Sequence, residues 1–321
     1  MTTGRPARLL ADIGGTNARF AWQDADGAPL RDVATLASAA HATPADAIAH
    51  YLTGLGRAAP PWCAIGIATP VTGDQVVMTN SHWSFSISEL QRRFGFERLV
   101  VINDFTALAL ALQDLPANEL RQVGAGAAVA GAPIALIGPG TGLGVSGLLP
   151  KGEPGRWVAL QGEGGHATLA AVNAREAAVL QLLRDRYGHI SAERAVSGPG
   201  LEHLHAAVCT LDGISTPKAL AAAEITARAL AGSDPQCAEA LDLFCGFLGN
   251  VAGNLALTLG AFGGVYIGGG IVPRLGDVFE RSPFRARFED KGRFRDYLAN
   301  IPVFVIHASV SPALMGVARA L

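Results

Sequence analysis

Arg8 to Gln23, RLLADIGGTNARFAWQ, reads as a strand over Arg8–Ile13, a tight turn on Gly14 and Gly15, and a second strand over Ala18–Gln23. Asp24-Ala25-Asp26-Gly27 then turns the chain into a third strand. Short turns between successive strands make a β-meander, not a βαβ unit, which would need a crossover helix. Downstream, Thr43-Pro44-Ala45-Asp46 has the form of an N-cap with proline at the first helical position. Ile48, Leu52 and Leu55 then repeat at helical spacing, so a helix should cross back over the sheet. Strands at Trp62–Ala68 and Arg98–Ile102 flank a hairpin near Thr72-Gly73-Asp74, and Phe105–Leu112 continues as an apolar helix.

Pro116 to Pro133 is rich in Ala and Gly with little periodicity and reads as a connection. After it the theme restarts: strand Ile134–Gly138, a run of glycines, strand Val145–Leu149. The two halves share this opening without aligning residue by residue. Helices are predicted over Ala174–Tyr187, Pro199–Cys209, Pro217–Ala231 and Pro235–Leu259, with strands at Gly264–Ile267 and Pro302–His307 and a last helix at Pro312–Leu321. The chain has 321 residues, half of them apolar, and so exceeds the ~250–300 at which a single core stops growing. The expected organisation is a small α/β domain over residues 1–114, a large one over 115–304, and residues 305–321 returning to the first.

The charge balance, 25 Lys+Arg against 27 Asp+Glu, leaves no basic field to attract nucleic acid or an anionic membrane surface. Met1 to Arg8 carries two arginines but no apolar segment with a cleavage site. Apolar stretches such as Ala125–Ala132 and Leu255–Phe262 fall short of the roughly 20 residues that cross a bilayer. These features predict a soluble, cytoplasmic protein whose partners are small molecules, with no nucleic acid and no membrane. Cys63, Cys209, Cys237 and Cys245 include no C-x-x-C pair and suit neither a disulfide framework nor a zinc ribbon, so reduced, buried thiols are expected.

Chemistry concentrates at the glycine turns and at a few acids. In Asp12-Ile13-Gly14-Gly15-Thr16-Asn17 the glycines leave no Cβ between backbone N–H groups and an approaching phosphate, and Thr16 and Asn17 add side-chain donors. Asp12 could hold the water shell of Mg²⁺, which takes few protein carboxylates. The same residues would also suit an ordinary hairpin turn. Gly138 to Gly144 forms the second turn, with Gly140, Thr141 and Gly142 at its centre. Gly142 to Gly147 spells G-x-G-x-x-G, and Glu163 stands near the distance at which a dinucleotide-binding acid would lie. That fingerprint needs a following helix, whereas Val145–Leu149 reads as a strand. No Gly-Lys pair exists to make a Walker A loop. Asn103 and Asp104 end a strand at the start of a helix, where Asp104 suits either a general base for a hydroxyl or a simple N-cap. Glu163 and His166 in GEGGH offer acceptor and donor groups for sugar hydroxyls, although a lone histidine such as His166 also suits a satisfied structural residue. Glu193 would equally serve as a first-turn helix acid. Gly268, Gly269 and Gly270 after a strand would let an adenosine lie on bare backbone, or simply form a loop.

Taken in order, DIGGTNARF, VVINDFTALALAL, GPGTGLGVSGLL, GEGGH, SAERAVSGPGLEHL and FGGVYIGGGIVPR resemble the bacterial glucokinase family. The resemblance spans nearly the whole chain, including FEDKGRF at Phe288–Phe294. It implies an α/β, two-domain actin-like ATPase (ribonuclease H-like) fold, each domain a mixed sheet with flanking helices, and a cleft between domains that closes over the substrates. It implies ATP and Mg²⁺ as cofactors and glucose as acceptor. By position it makes Asp12, Gly14, Gly15, Thr16 and Asn17 the first phosphate loop and Gly140, Thr141 and Gly142 the second. Asp104 becomes the base; Asn103, Asp104, Glu163, His166 and Glu193 ring the sugar; Gly268 to Gly270 lie near adenosine. A homodimer is likewise implied. Ala11, Gln161, Ala167-Thr168 and Ser311-Pro312-Ala313 depart from the usual family wording, which bears on substrate preference and C-terminal packing. No cysteine-rich zinc motif of the related repressor–kinase group is present. The alternatives are a kinase for another hexose, mannose or fructose, and a non-catalytic sugar sensor; a sensor would be marked by loss of the base, and Asp104 is present.

Overall fold

The computed structural model describes residues 6–78, 81–153, 155–215, 219–307 and 312–321. The chain divides into two compact units, Met1–Pro116 with Ala308–Leu321, and Ala117–His307.

In the first unit, strands β1 (Arg8–Ile13), β2 (Asn17–Gln23) and β3 (Arg31–Ala37) form the antiparallel meander. Helix α1 (Pro44–Leu55) follows, with the Thr43 hydroxyl accepting from Asp46 N at its start and Gly56 closing it in the left-handed region at φ 62°. Strand β4 (Trp62–Ile67) returns parallel to β1. A small hairpin of β5 (Gln75–Val77) and β6 (Ser84–Ser86) leads into α2 (Ile87–Phe94), then β7 (Arg98–Asn103) and α3 (Asp104–Ala111). The sheet order is β3-β2-β1-β4-β7. Alternation along β1 divides its side chains between the two faces. Leu9, Ala11 and Ile13 pack with Ile48 and Leu52 of α1, while Leu10 packs with Ala107 of α3 and with Leu314 and Val317.

The second unit begins with β8 (Leu120–Val123), inside a stretch whose sequence reads as a connection. It becomes a strand by antiparallel pairing with β13, far along the chain. Strands β9 (Ile134–Pro139), β10 (Leu143–Pro150) and β11 (Trp157–Leu160) make a second antiparallel meander. Helices α4 (Ala174–Tyr187), α5 (Gly198–Leu211), α6 (Ala222–Ala231) and α7 (Pro235–Leu259) come next, then β12 (Val265–Ile267). The predicted helix Pro217–Ala231 opens at residues outside those described, and its described part starts only at Ala222. Short helices α8 (Asp277–Arg281), α9 (Phe284–Glu289) and α10 (Arg295–Ala299) lead to β13 (Val303–Ile306). The sheet order is β11-β10-β9-β12-β13-β8, with β12 parallel to both β9 and β13. Apart from the added edge strand β8, this repeats the first unit: a meander of three strands, then two more laid parallel to the meander's first strand.

Helix α7 is 25 residues long with mean hydropathy 1.4, enough to span a bilayer, yet its apolar window is 67% buried in the core. Gly249 and Gly253 make this possible, because a Cβ there would lie 2.2 Å from Phe284 O and 2.5 Å from Phe288 O of α9. The terminal helix α11 (Pro312–Arg319) belongs to the first unit and lies against α3, where a Cβ on Gly316 would fall 1.7 Å from Ala107 O.

Candidate active site

In the first unit, Ile13, Ile67 and Asn103 stand side by side in the register of the parallel strands β1, β4 and β7. The glycine turn after Ile13 and the residue after Asn103 therefore leave the same sheet edge, at carboxyl ends of strands, two inter-strand spacings or ~10 Å apart. Open α/β sheets bind ligands at such edges. Gly14 N donates to Asn17 O at 2.9 Å, closing the turn, and Thr16 and Asn17 are exposed. Two bonds from Ser38 pin it: Ser38 Oγ donates to Gly14 O at 3.1 Å and Ser38 N to Thr16 O at 2.9 Å. Asp12 is buried, 8% exposed, and its Oδ2 accepts from Arg19 Nη1 at 3.2 Å. Arg19 faces Asp12 directly across the β1–β2 ladder, so the pairing follows from the register. Strand alternation puts Asp12 on the same face as Leu10, the face covered by α3.

The helix cap at α3 falls to Asn103, whose Oδ1 accepts from Phe105 N at 2.9 Å and Thr106 N at 3.2 Å. The N-cap reading of Asp104 is thereby replaced. Asp104 is the first helical residue; its Oδ1 accepts from Phe105 N at 2.9 Å, and it is partly exposed. Asn103 Nδ2 reaches Thr69 O at 3.5 Å, tying β7 to the segment after β4.

In the second unit, Gly140 to Gly142 joins β9 to β10, and Gly140 N donates to Gly142 O at 2.8 Å. This turn leads into β10 and no helix follows it, which disposes of the dinucleotide reading. Its support comes from the segment that begins α5. Gly198 N donates to Gly140 O at 2.8 Å, and Glu193 Oε2 accepts from Leu143 N at 2.9 Å. Glu193 stands in a 3-10 turn, Ala192–Arg194, held by Ser197 Oγ donating to Glu193 O at 2.8 Å. Gly164–His166 forms another 3-10 turn. Gly165 packs on the start of β10 so closely that a Cβ would lie 2.1 Å from Leu143 O. The two 3-10 turns are linked by Ala192 N donating to Ala167 O at 2.9 Å and by the bridge between Thr168 and Ser191. Glu163 and His166 are exposed, with Oε2 and Nε2 4.0 Å apart. Gly268 N donates to Ile137 O at 2.9 Å; Gly269, at φ +78°, lies against the end of β9 with space for a Cβ only 2.3 Å from Pro139 O. Gly270 is exposed, and a Cβ there would meet no atom within 4 Å.

Each unit thus gathers its own share of the expected residues at a sheet edge. The first brings together Asp12, the Gly14–Asn17 turn, Asn103 and Asp104. The second brings together Gly140–Gly142, Glu163, His166, Glu193 and Gly268–Gly270. Arg19, Ser38, Ser197 and Gly198 are supports that motif reading passed over, although Arg19, Ser197 and Gly198 lie inside the quoted motifs. Bare backbone N–H groups beside carboxylates and an imidazole suit phosphate and hydroxyl ligands.

The glucokinase family profile matches residues 9–321. The chain is 59% identical over 315 residues to a glucokinase of Aromatoleum aromaticum, covering 98% of this chain and 94% of that one. It is 56% identical over 321 residues to a glucokinase of Chromobacterium violaceum, covering 99% and 91%. Among solved structures, a glucokinase from an Antarctic psychrotroph superposes with TM-score 0.88 at 39% identity, covering 98% of both chains. The repeated sheet, three antiparallel strands with two parallel ones, is that of the actin-like ATPase sugar kinases. With a family match over almost its full length and relatives of more than half identity, this chain belongs to the glucokinase family.

Proposed function

We infer that this chain transfers the γ-phosphoryl group of ATP to the 6-hydroxyl of glucose, giving glucose 6-phosphate and ADP. The observation that carries the reading is the shared strand-end row of Ile13, Ile67 and Asn103, which sets a phosphate-type glycine turn and the carboxylate of Asp104 on one edge in a chain of this family. Asp104 accepts the hydroxyl proton as the sugar oxygen attacks. Backbone N–H groups of the Gly14–Asn17 and Gly140–Gly142 turns, other than those of Gly14 and Gly140 that close the turns, receive phosphate oxygens. Asn103, Glu163, His166 and Glu193 exchange hydrogen bonds with the sugar hydroxyls, and Gly268–Gly270 give adenosine a surface free of side chains.

Mg²⁺ fits at Asp12: the carboxylate is buried at the end of β1 beside a turn of bare backbone, and it would hold the ion through the ion's water shell. When bound, the ion neutralises and orients the phosphate oxygens. We further propose a cytoplasmic homodimer.

The test is coupled ADP production with glucose, fructose, mannose, galactose and N-acetylglucosamine, for the wild type and Asp104→Ala. Turnover greatest on glucose, abolished by Asp104→Ala while glucose binding by calorimetry survives, upholds the assignment. Greater turnover on mannose or fructose would reassign the substrate. Glucose binding without turnover of any sugar in the wild type would make the protein a sensor.

A further inference from the structure

The four cysteines are all free, and one of them, Cys237, belongs to a cluster of donors that the kinase reading does not use. His205 and Cys209 lie one turn apart on α5, with Cys209 Sγ 3.6 Å from His205 Nε2. Asp234 caps α7, and Cys237 is the third residue of that helix. Ligand atoms of His205, Asp234 and Cys237 all fall within 4.8 Å of one another. The spacing is H-x₃-C on one helix and D-x₂-C at the start of the next; three of these four donors already converge, and Cys209, against His205, is placed to supply the fourth.

We propose that His205, Cys209, Asp234 and Cys237 form a tetrahedral transition-metal site suited to Zn²⁺, which clamps α5 to the start of α7 and takes no part in phosphoryl transfer. Two sulfurs, one imidazole nitrogen and one carboxylate oxygen are all donors that zinc takes in four-coordinate tetrahedral geometry. Thiolate donors also discriminate against the hard Mg²⁺ that serves the phosphates. The surroundings suit the ion. His205, Cys209 and Cys237 are 4%, 2% and 0% exposed, so water would not compete for the coordination positions, while Asp234 is partly exposed and offers an entry path. Oδ1 of Asp234 is oriented by the N–H groups of Gln236 and Cys237, each at 3.0 Å, leaving Oδ2 as the ligand. With two thiolates and one carboxylate on a divalent ion the centre carries one net negative charge, and the Arg228 guanidinium, 3.6 Å from Asp234 Oδ2, offsets it. Binding releases the two thiol protons to solvent and changes no oxidation state.

The full-length chain, stripped of metal and equilibrated with Co²⁺ in the presence of Mg²⁺, provides the test. We expect one Co²⁺ per chain, thiolate-to-metal charge-transfer absorption with tetrahedral d–d bands, and loss of both on adding Zn²⁺. Cys209→Ser and Cys237→Ser should each remove most of the charge-transfer intensity while keeping turnover with Mg-ATP; Cys63→Ser, a buried thiol of β4, should leave the spectrum unchanged. Zn²⁺ should raise the Tm of the wild type and leave that of Cys237→Ser unmoved. Sub-stoichiometric Co²⁺, absence of a thiolate band, or an undiminished band in Cys237→Ser overturns the site. Should either α5 or α7 variant fail to fold, the wild-type stoichiometry and spectrum still decide.

Discussion

The two glycine turns use one backbone device with opposite kinds of support. The Gly14–Asn17 turn is pinned from outside by Ser38, and its neighbouring acid, Asp12, is paired with a cation, Arg19. The Gly140–Gly142 turn is held by an acid directly, since Glu193 Oε2 accepts from Leu143 N. A carboxylate in the first turn thus keeps a cationic neighbour; in the second, a carboxylate is tied into the loop's own backbone. The glycines differ accordingly. A Cβ on Gly14 would meet only Asn17 O at an ordinary 3.5 Å, so the packing of the fold does not itself require glycine there. A Cβ on Gly142 would come within 2.5 Å of Glu193 Oε2, and one on Gly165 within 2.1 Å of Leu143 O, so these glycines serve the protein's own close packing.

The largest effect is expected where neither support is involved. Asp104→Asn should lower kcat on glucose by ~10²–10⁴-fold, the usual contribution of a positioned base, with a smaller change in KM. A loss no greater than that of Glu193→Ala would break the distinction between a base and a loop-holding acid.

Next come the glycines packed in and against the second turn. Gly165→Ala confronts a backbone carbonyl that cannot swing aside, so it should lower Tm more than Gly142→Ala, which confronts only the end of a flexible side chain. Gly14→Ala should leave Tm nearly unchanged while weakening ATP binding. Thermal melts of the three variants rank the supports, and a Gly14→Ala Tm as low as that of Gly165→Ala would erase the contrast.

Glu193→Ala leaves the N–H of a buried residue without its acceptor, at a cost of about 1–3 kcal/mol. Gly142→Ala displaces the same carboxylate, so the double variant should be less destabilised than the sum of the two. Glu193→Gln retains a neutral acceptor and should recover most of the stability while remaining defective in glucose KM. Additive losses would show that Gly142 and Glu193 act separately.

The smallest effect belongs to Arg19. The guanidinium side chain is 44% exposed, so solvent screens its pairing with Asp12 to about 1 kcal/mol at most. Arg19→Ala should shift the half-saturating Mg²⁺ concentration by no more than roughly fivefold, downward, because a cation competing for Asp12 is gone. An upward shift would make Arg19 an orienting partner of Asp12 and not a competitor.

Much of this was legible in the chain before folding was considered. The meander at Arg8–Gln23, the Thr43 cap with α1, the long helix Pro235–Leu259 and the glycine turns between strands all rest on neighbours a few residues apart. The candidate site residues were legible as a set because their order matches a family, yet position alone left Asp104 with the cap role that Asn103 takes. Periodicity cannot tell which of two adjacent polar residues turns its oxygen to the helix N–H groups. Other features needed partners that only the closed chain supplies. Leu120–Val123 has no strand signal of its own and is extended because β13 offers it a ladder. Glu193 reads as a first-turn acid until Leu143 N is brought to it, and His205 with Cys237 reads as two unrelated core residues until α5 meets α7. Gly316 looks like an ordinary helix interior until α3 lies against it. Local sequence fixes φ, ψ and side-chain periodicity; which surfaces then meet depends on long loops closing, an entropy cost repaid only by the packing of the whole unit.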